Sequence, residues 1–207
     1  MTTRREHAPT WLADVMNVDL AVYDAIAATR TPALDQRMQT LSNAANYSRL
    51  WFGVAALLAL VGGRSGRRAA AQGLVSIGVT SPLVNLAAKR AGSRPRPELS
   101  EQQVLSRHVR MPTSHSFPSG HAASAFAFAT GVGSRWPVVA GPLHAAAGVV
   151  AYSRVHTGVH YPGDVVVGSI MGTVLAQLTT RALDGRGRSR SARSRRGGSR
   201  SPVKRQT

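Results

Sequence analysis

His160 and Asp164, four residues apart, have the types and spacing for nucleophilic or proton-transfer chemistry. A carboxylate hydrogen-bonded to one imidazole nitrogen fixes the tautomer and raises the basicity of the other nitrogen. That second nitrogen can then attack phosphorus. Asp164 is the only acid between Gln102 and Leu183, and an ionisable group in so apolar a stretch marks a functional position. The alternative is a charge that simply caps the following helix. The pair closes a polar island that begins at Ser153-Arg154. His156 lies in the same island; it is assigned no role and is expected at the surface.

Two further polar islands precede this one. Residues 116–121 read Ser-Phe-Pro-Ser-Gly-His, directly before an apolar run. Ser119 is expected to be an N-cap, and Gly120 admits close backbone approach. A helix starting there aims free N–H groups and a positive dipole end outward, which suits a phosphate oxyanion. His121, in the first turn, has no evident packing role and can donate a proton near neutral pH. Residues 89–97 hold Lys89, Arg90, Arg94 and Arg96 ahead of Pro97. Such cations either snorkel to lipid head groups or bind an anion, since the planar guanidinium fork matches phosphate oxygens.

The elements that must position these islands are apolar. Residues 49–62 form a strong but short apolar run, which an extension back through Tyr47 would bring to spanning length. Residues 69–88 are long enough to span and carry Gln72, Ser81, Pro82 and Asn85, so they are expected to face protein rather than lipid. Residues 121–134 and 137–152 predict a helical hairpin about Ser134–Pro137. Residues 162–182 open on Pro162, favoured at the first helical position, and carry Gly168 and Gly172 in a close-packing GxxxG spacing. Residues 11–30 and 34–46 predict amphipathic helices lying at an interface, since Asp14, Asp19 and Asp24 interrupt any span. The expectation is an all-α, membrane-embedded bundle of about five to six helices. Its divisions are interfacial helices over 1–47, the bundle over 48–183, and a disordered Arg/Ser-rich tail over 184–207. No secretory signal is expected in the opening residues.

The 207 residues carry a formal net charge of +17 and no cysteine, which excludes disulfides, thiolate metal sites and a cysteine nucleophile. From Gly185 onward there are nine basic residues and no acid. Without interleaved aromatics this tail reads as a ligand for anionic lipid head groups, and no nucleic acid partner is expected. A metal constellation is missing from the islands: two or more carboxylates are expected of a two-metal phosphatase, and Asp164 stands alone.

The islands resemble the three signature motifs of the type 2 phosphatidic acid phosphatase family, which shares its active site with vanadium haloperoxidases. Lys89, six residues, then Arg96-Pro97 matches the first motif. Pro118-Ser119-Gly120-His121 matches the second, and Ser153-Arg154, then His160, then Asp164 matches the third. The resemblance covers about residues 49–182 and implies the roles. Lys89, Arg96 and Arg154 would bind phosphate oxygens, with Ser119 and the Gly120 N–H adding hydrogen bonds. His160 would attack phosphorus, Asp164 would orient it, and His121 would protonate the leaving group. The implied activity is a metal-independent, cofactor-free lipid phosphate phosphatase in a bacterial plasma membrane. Its implied substrate is a polyprenyl diphosphate, phosphatidic acid or a similar lipid, and the positive-inside rule, applied to Arg64, Arg67, Arg68, Arg135 and the tail, predicts an extracytoplasmic site. Alternatives are a haloperoxidase-like enzyme or a protein that binds anions through its basic tail.

Overall fold

The computed structural model describes residues 10–29, 31–88, 94–98, 107, 109 and 111–198, with side chains as far as Arg186. Among the described residues there are seven α-helices: α1 (Thr10–Ala28), α2 (Pro32–Ala44), α3 (Arg49–Val61), α4 (Gly63–Pro82), α5 (Gly120–Gly133), α6 (Ala140–His156) and α7 (Pro162–Gly198). A 3-10 turn, Asn46–Ser48, links α2 to α3; a π-helical segment, Leu83–Ala88, extends α4; and a second 3-10 turn, Pro137–Val139, leads into α6. The all-α bundle expected from the sequence is the architecture found.

Helix α5 lies at the centre, packed by α4, α6 and α7. Its sequence explains this. Ala122, Ala123, Ala125, Ala127 and Ala129 are all buried, so small side chains on every face let three neighbours approach. On α7, a Cβ at Gly168 or Gly172 would run into the backbone carbonyl of Ser119 or Ala123, so the GxxxG spacing marks a real backbone contact. On α4, a Cβ at Gly73 would lie 2.6 Å from the Val132 side chain of α5. Trp51 of α3 fills the remaining side, with its ring centroid 5.2 Å from that of Phe128.

Among the described residues, three elements are long and apolar enough to cross a membrane: Gly63–Leu86, Pro137–His156 and Pro162–Arg186. The pair Pro32–Ala44 and Asn46–Val61 would make a fourth if taken as one span bent by 64°. One of the five expected spans is thereby corrected, and a second is found only as a bent pair. With 14 residues, α5 is about 21 Å long at 1.5 Å per residue, short of a ~30 Å hydrocarbon core. The straight extension of α3 through Tyr47 fails because Tyr47 and Ser48 adopt positive φ (56° and 58°), which breaks the helix there. A third difference lies in the tail. Helix α7 continues to Gly198, past the expected boundary at 183. Arginine and alanine are good helix formers, so the backbone propagates beyond the last apolar residues. Residues 199–207 lie outside the described residues.

The chain order puts the polar islands at one end of the bundle. The starts of α3, α5 and α7 and the ends of α4 and α6 meet there. At the opposite end Trp136 covers Gly62 and Gly66, and Arg135 pairs with Asp184 at 2.5 Å. Helices α1 and α2 pack across the island end, against α6 and α7 and against α6 respectively.

Candidate active site

His160 sits in the turn between α6 and α7. The N–H groups of Val159 and His160 donate to the Arg154 carbonyl at 3.0 and 3.1 Å, which folds the chain back over the end of α6. One turn into α7, Asp164 brings Oδ2 to 3.5 Å from His160 Nδ1, an electrostatic contact rather than a short hydrogen bond. The Tyr161 N–H donates to the same oxygen at 2.9 Å, and the Ser116 hydroxyl donates to it as well. Ser116 Oγ is 3.5 Å from His160 Nδ1, so the three groups form one buried triangle. Nδ1 therefore faces the carboxylate. Nε2 lies 3.5 Å from Arg96 Nη1, on the cavity side.

Burial is the main force on the ring. His160 is 2% exposed, and burial lowers its pKa to about 4. The nearby Asp164 carboxylate opposes this shift, and the charges of Arg96 and Arg154 reinforce it. At neutral pH the imidazole is neutral. With its proton on Nδ1, the Nε2 lone pair is available to an electrophile.

Cations surround that nitrogen. Arg96 Nη1 donates to the Val159 carbonyl at 2.7 Å, and Arg96 Nε donates to the carbonyls of Pro112 and Ser114 at 3.2 and 3.0 Å. Burial lowers its pKa, and the Asp164 charge opposes that shift. Arg154, only 1% exposed, donates from Nη1 to the carbonyl and hydroxyl of Ser42 on α2, at 3.0 and 2.5 Å. Its Nε and Nη2 are buried without a hydrogen-bond partner. Buried donors are almost always satisfied, so two open donors on one guanidinium mark a place for an absent acceptor.

Ser119 is the N-cap of α5 as expected, its hydroxyl accepting from the Ala122 N–H at 3.4 Å. Its own N–H donates to the Asp164 carbonyl at 2.9 Å, which locks the start of α5 to the start of α7. A cavity of about 220 Å³ opens in front of these groups, lined among others by Arg96, Gly120, His121, Ser124 and His160. His121 Nε2 is 3.0 Å from Asn46 Oδ1. The structure thus gathers Arg96, Ser119, Gly120, His121, Arg154, His160 and Asp164 at one place. Lys89 lies outside the described residues.

Sequence reasoning missed several partners. Ser116, Ser42 and Asn46 hold Asp164, Arg154 and His121, and no local pattern pairs them. His156, expected at the surface, is 1% exposed, with Nε2 2.7 Å from Asp35 Oδ1. Asp35 also pairs with Arg107 at 2.9 Å. The available signal was positional: Asp35 shares a buried helical stripe with Met38 and Ser42.

A family model for the PAP2 superfamily matches residues 70–188. The chain belongs to the PAP2 superfamily. Among curated relatives, a decaprenylphosphoryl-5-phosphoribose phosphatase of Mycobacterium tuberculosis is 36% identical over 106 residues, covering 49% of this chain and 55% of the relative. An undecaprenyl-diphosphatase of Sulfolobus acidocaldarius is 37% identical over 71 residues, covering 33% of this chain and 34% of the relative. This PAP2 chain thus spans about half the length, or less, of the curated relatives it matches. Among solved structures, Aquifex aeolicus LpxE superposes with a TM-score of 0.62 at 25% identity, covering 87% of this chain and 99% of that one. A transmembrane PAP2 type phosphatidylglycerolphosphate phosphatase from Bacillus subtilis gives 0.60 at 24% identity, covering 84% and 87%. The apolar helices and these membrane neighbours make this PAP2 chain an integral membrane protein.

Proposed function

We propose that this PAP2 protein hydrolyses the phosphate ester or diphosphate of a membrane lipid without a metal ion. The observation that carries this reading is the Arg154 guanidinium, buried beside His160 with two donors open. His160 Nε2 bonds to phosphorus as the bond to the leaving oxygen breaks, and His121 gives that oxygen a proton. Asp164 stabilises the charge that develops on the ring through Nδ1–H. Water then attacks the phosphohistidine, His121 accepts its proton, and phosphate leaves with His160 restored. Arg96, Arg154 and Lys89 carry the growing oxygen charge, and the Gly120 N–H assists at the start of α5. Phosphoryl transfer needs mainly positioning and charge stabilisation, which these groups supply.

Several substrates suit this chemistry, including a polyprenyl diphosphate, phosphatidic acid or a prenyl-phosphoryl sugar phosphate. The names of the mycobacterial and archaeal relatives favour a polyprenyl carrier. The site is assigned to the extracytoplasmic face of a bacterial plasma membrane. Arg64, Arg67, Arg68, Arg135 and the basic tail follow the far ends of the helices, where the positive-inside rule puts the cytoplasm and its anionic lipid head groups. The test is turnover of a lipid phosphate panel by purified protein in detergent with a chelator present. Release of phosphate that is blocked by vanadate and abolished in His160→Ala is expected. A strict requirement for added magnesium or zinc would overturn the metal-independent reading.

A further inference from the structure

Asp19 lies on α1, outside the residues matched by the family model, and is 9% exposed. Its Oδ2 is 2.6 Å from Arg94 Nη1, and its Oδ1 accepts the Gly163 N–H at 2.6 Å, in the first turn of α7. The same Arg94 nitrogen lies 3.4 Å from Asp164 Oδ1, the carboxylate oxygen turned away from His160. The guanidinium stacks 3.8 Å above the Tyr161 ring, and the Arg94 carbonyl accepts the Ser116 N–H at 3.0 Å. Arg94 therefore touches Asp164 and, through its own backbone, the serine that donates to Asp164.

We infer that Asp19 and Arg94 are positioning residues for the His160–Asp164 pair, so that the N-terminal helix α1 belongs to the working site. This inference rests on the proposed role of His160 as nucleophile. A guanidinium fully engaged with Asp164 would draw the carboxylate's charge away from the imidazole and weaken its support for the charged ring. Charge interactions fall with distance, and Arg94 sits closer to Asp19 than to Asp164. Asp19 thus holds Arg94 as a brace on Oδ1 while absorbing most of its charge. Its second oxygen pins the backbone turn from which Asp164 projects. The other charged groups acting on the ring are Arg96, from the segment before α5, and Arg154, from α6. Burial raises the Tyr161 pKa; Arg94 opposes that shift, and the carboxylates of Asp164, Asp19 and Glu98 reinforce it.

The test is a double-variant cycle. Asp19→Asn keeps an acceptor for the Gly163 N–H but removes the charge, leaving Arg94 free to settle on Asp164. We expect kcat to fall roughly tenfold with KM changed less than about twofold. Adding Arg94→Gln to Asp19→Asn should raise kcat about threefold over Asp19→Asn, while loss of the brace keeps it below wild type. Arg94→Gln, alone or in the pair, should move the acid limb of kcat/KM upward by about one pH unit. If Asp19 only anchors α1, the double variant will be no faster than Asp19→Asn and the acid limb will not move; either result overturns the inference. Should Asp19→Asn fail to fold, Arg94→Gln and the charge-retaining Asp19→Glu carry the test through the acid limb, moved in the first and unmoved in the second. His160→Ala is run in parallel. Wild-type turnover there removes the nucleophile reading itself, whereas loss of turnover with an unmoved acid limb removes only the roles given to Asp19 and Arg94.

Discussion

Replacing Arg154 with methionine should separate stability from function. The guanidinium is buried with Nε and Nη2 unpartnered, and it is held only through Nη1 by Ser42. Each unsatisfied buried donor costs about 1–3 kcal/mol, so relieving two gains roughly 2–6 kcal/mol. The two lost hydrogen bonds from a charged group to Ser42 are worth about 1.5–3 kcal/mol each, or roughly 3–6 kcal/mol together. Ser42 Oγ keeps Thr157 Oγ1 at 3.4 Å, which limits the loss on that side. Methionine has similar length and no charge to bury. Arg154→Met should therefore range from about 4 kcal/mol less stable than the parent to about 3 kcal/mol more stable. Turnover should nevertheless fall about 10²–10³-fold, the usual cost of removing one preorganised oxyanion donor. Thermal unfolding in detergent, with and without vanadate, reads both effects. Vanadate at a hundred times its dissociation constant should stabilise the wild type by about 2.7 kcal/mol and the variant far less. A variant that turns over normally and gains as much from vanadate as the parent would refute the reasoning.

The pH profile gives a second check. Burial lowers the His160 pKa to about 4, so kcat/KM, corrected for substrate ionisation, should hold from neutral pH down to about pH 5 and fall as the ring is protonated; a limb at the ordinary histidine value near 6.5 would contradict the buried neutral ring. The same depressed pKa makes the folded state resist protonation, so its contribution to stability is complete above about pH 6.5 and is lost as pH falls towards 4; acid unfolding of His160→Gln should show a shallower slope across that window. Gly172→Leu should lower the unfolding temperature and expression sharply, because its Cβ would collide with the Ala123 backbone; unchanged stability would mean that α5 and α7 do not meet there. Single cysteines at Thr113 and Ser65, both exposed and at opposite ends of the bundle, should react differently with an impermeant thiol reagent in intact cells. Labelling at Thr113 alone supports an extracytoplasmic site, and labelling at Ser65 alone inverts the topology.

The residues gathered at the site were legible because their spacing is local. His160 and Asp164 are one helical turn apart, Ser119 directly precedes an apolar helix, and Arg154 ends the previous one. What the sequence hid is long-range. Ser42 meets Arg154, Asn46 meets His121 and Asp19 meets Arg94 across separations that no periodicity reports. These partners come from segments that looked like passive interfacial helices. A closer reading of stripe positions would have flagged them. Asp19 lines up with Tyr23 and Ile26 at i+4 and i+7, and both of those pack in the cluster between α1, α6 and α7. An acid on such a stripe predicts a buried partner rather than a solvated face. The count of spans failed for a related reason: the centrality of α5 depends on three neighbours, and its own composition would equally suit a helix facing lipid.

Arg94 and Arg96 show how structure divides roles that sequence leaves equal. Both belong to one short basic island, and both lie within 3.5 Å of an atom of the His160–Asp164 pair. Arg94 is bound between two carboxylates, so its charge is largely spent on the protein. Arg96 is oriented by the carbonyls of Val159, Pro112, Ser114 and His115, all neutral acceptors. Carbonyl oxygens fix the direction of a guanidinium without cancelling its charge, whereas a carboxylate would compete with phosphate for it. Arg154 follows the same rule, held by Ser42 alone with two donors left open. The excess positive charge around His160 is thus kept oriented and available to an incoming dianion, while the one guanidinium that braces the catalytic pair is neutralised from α1.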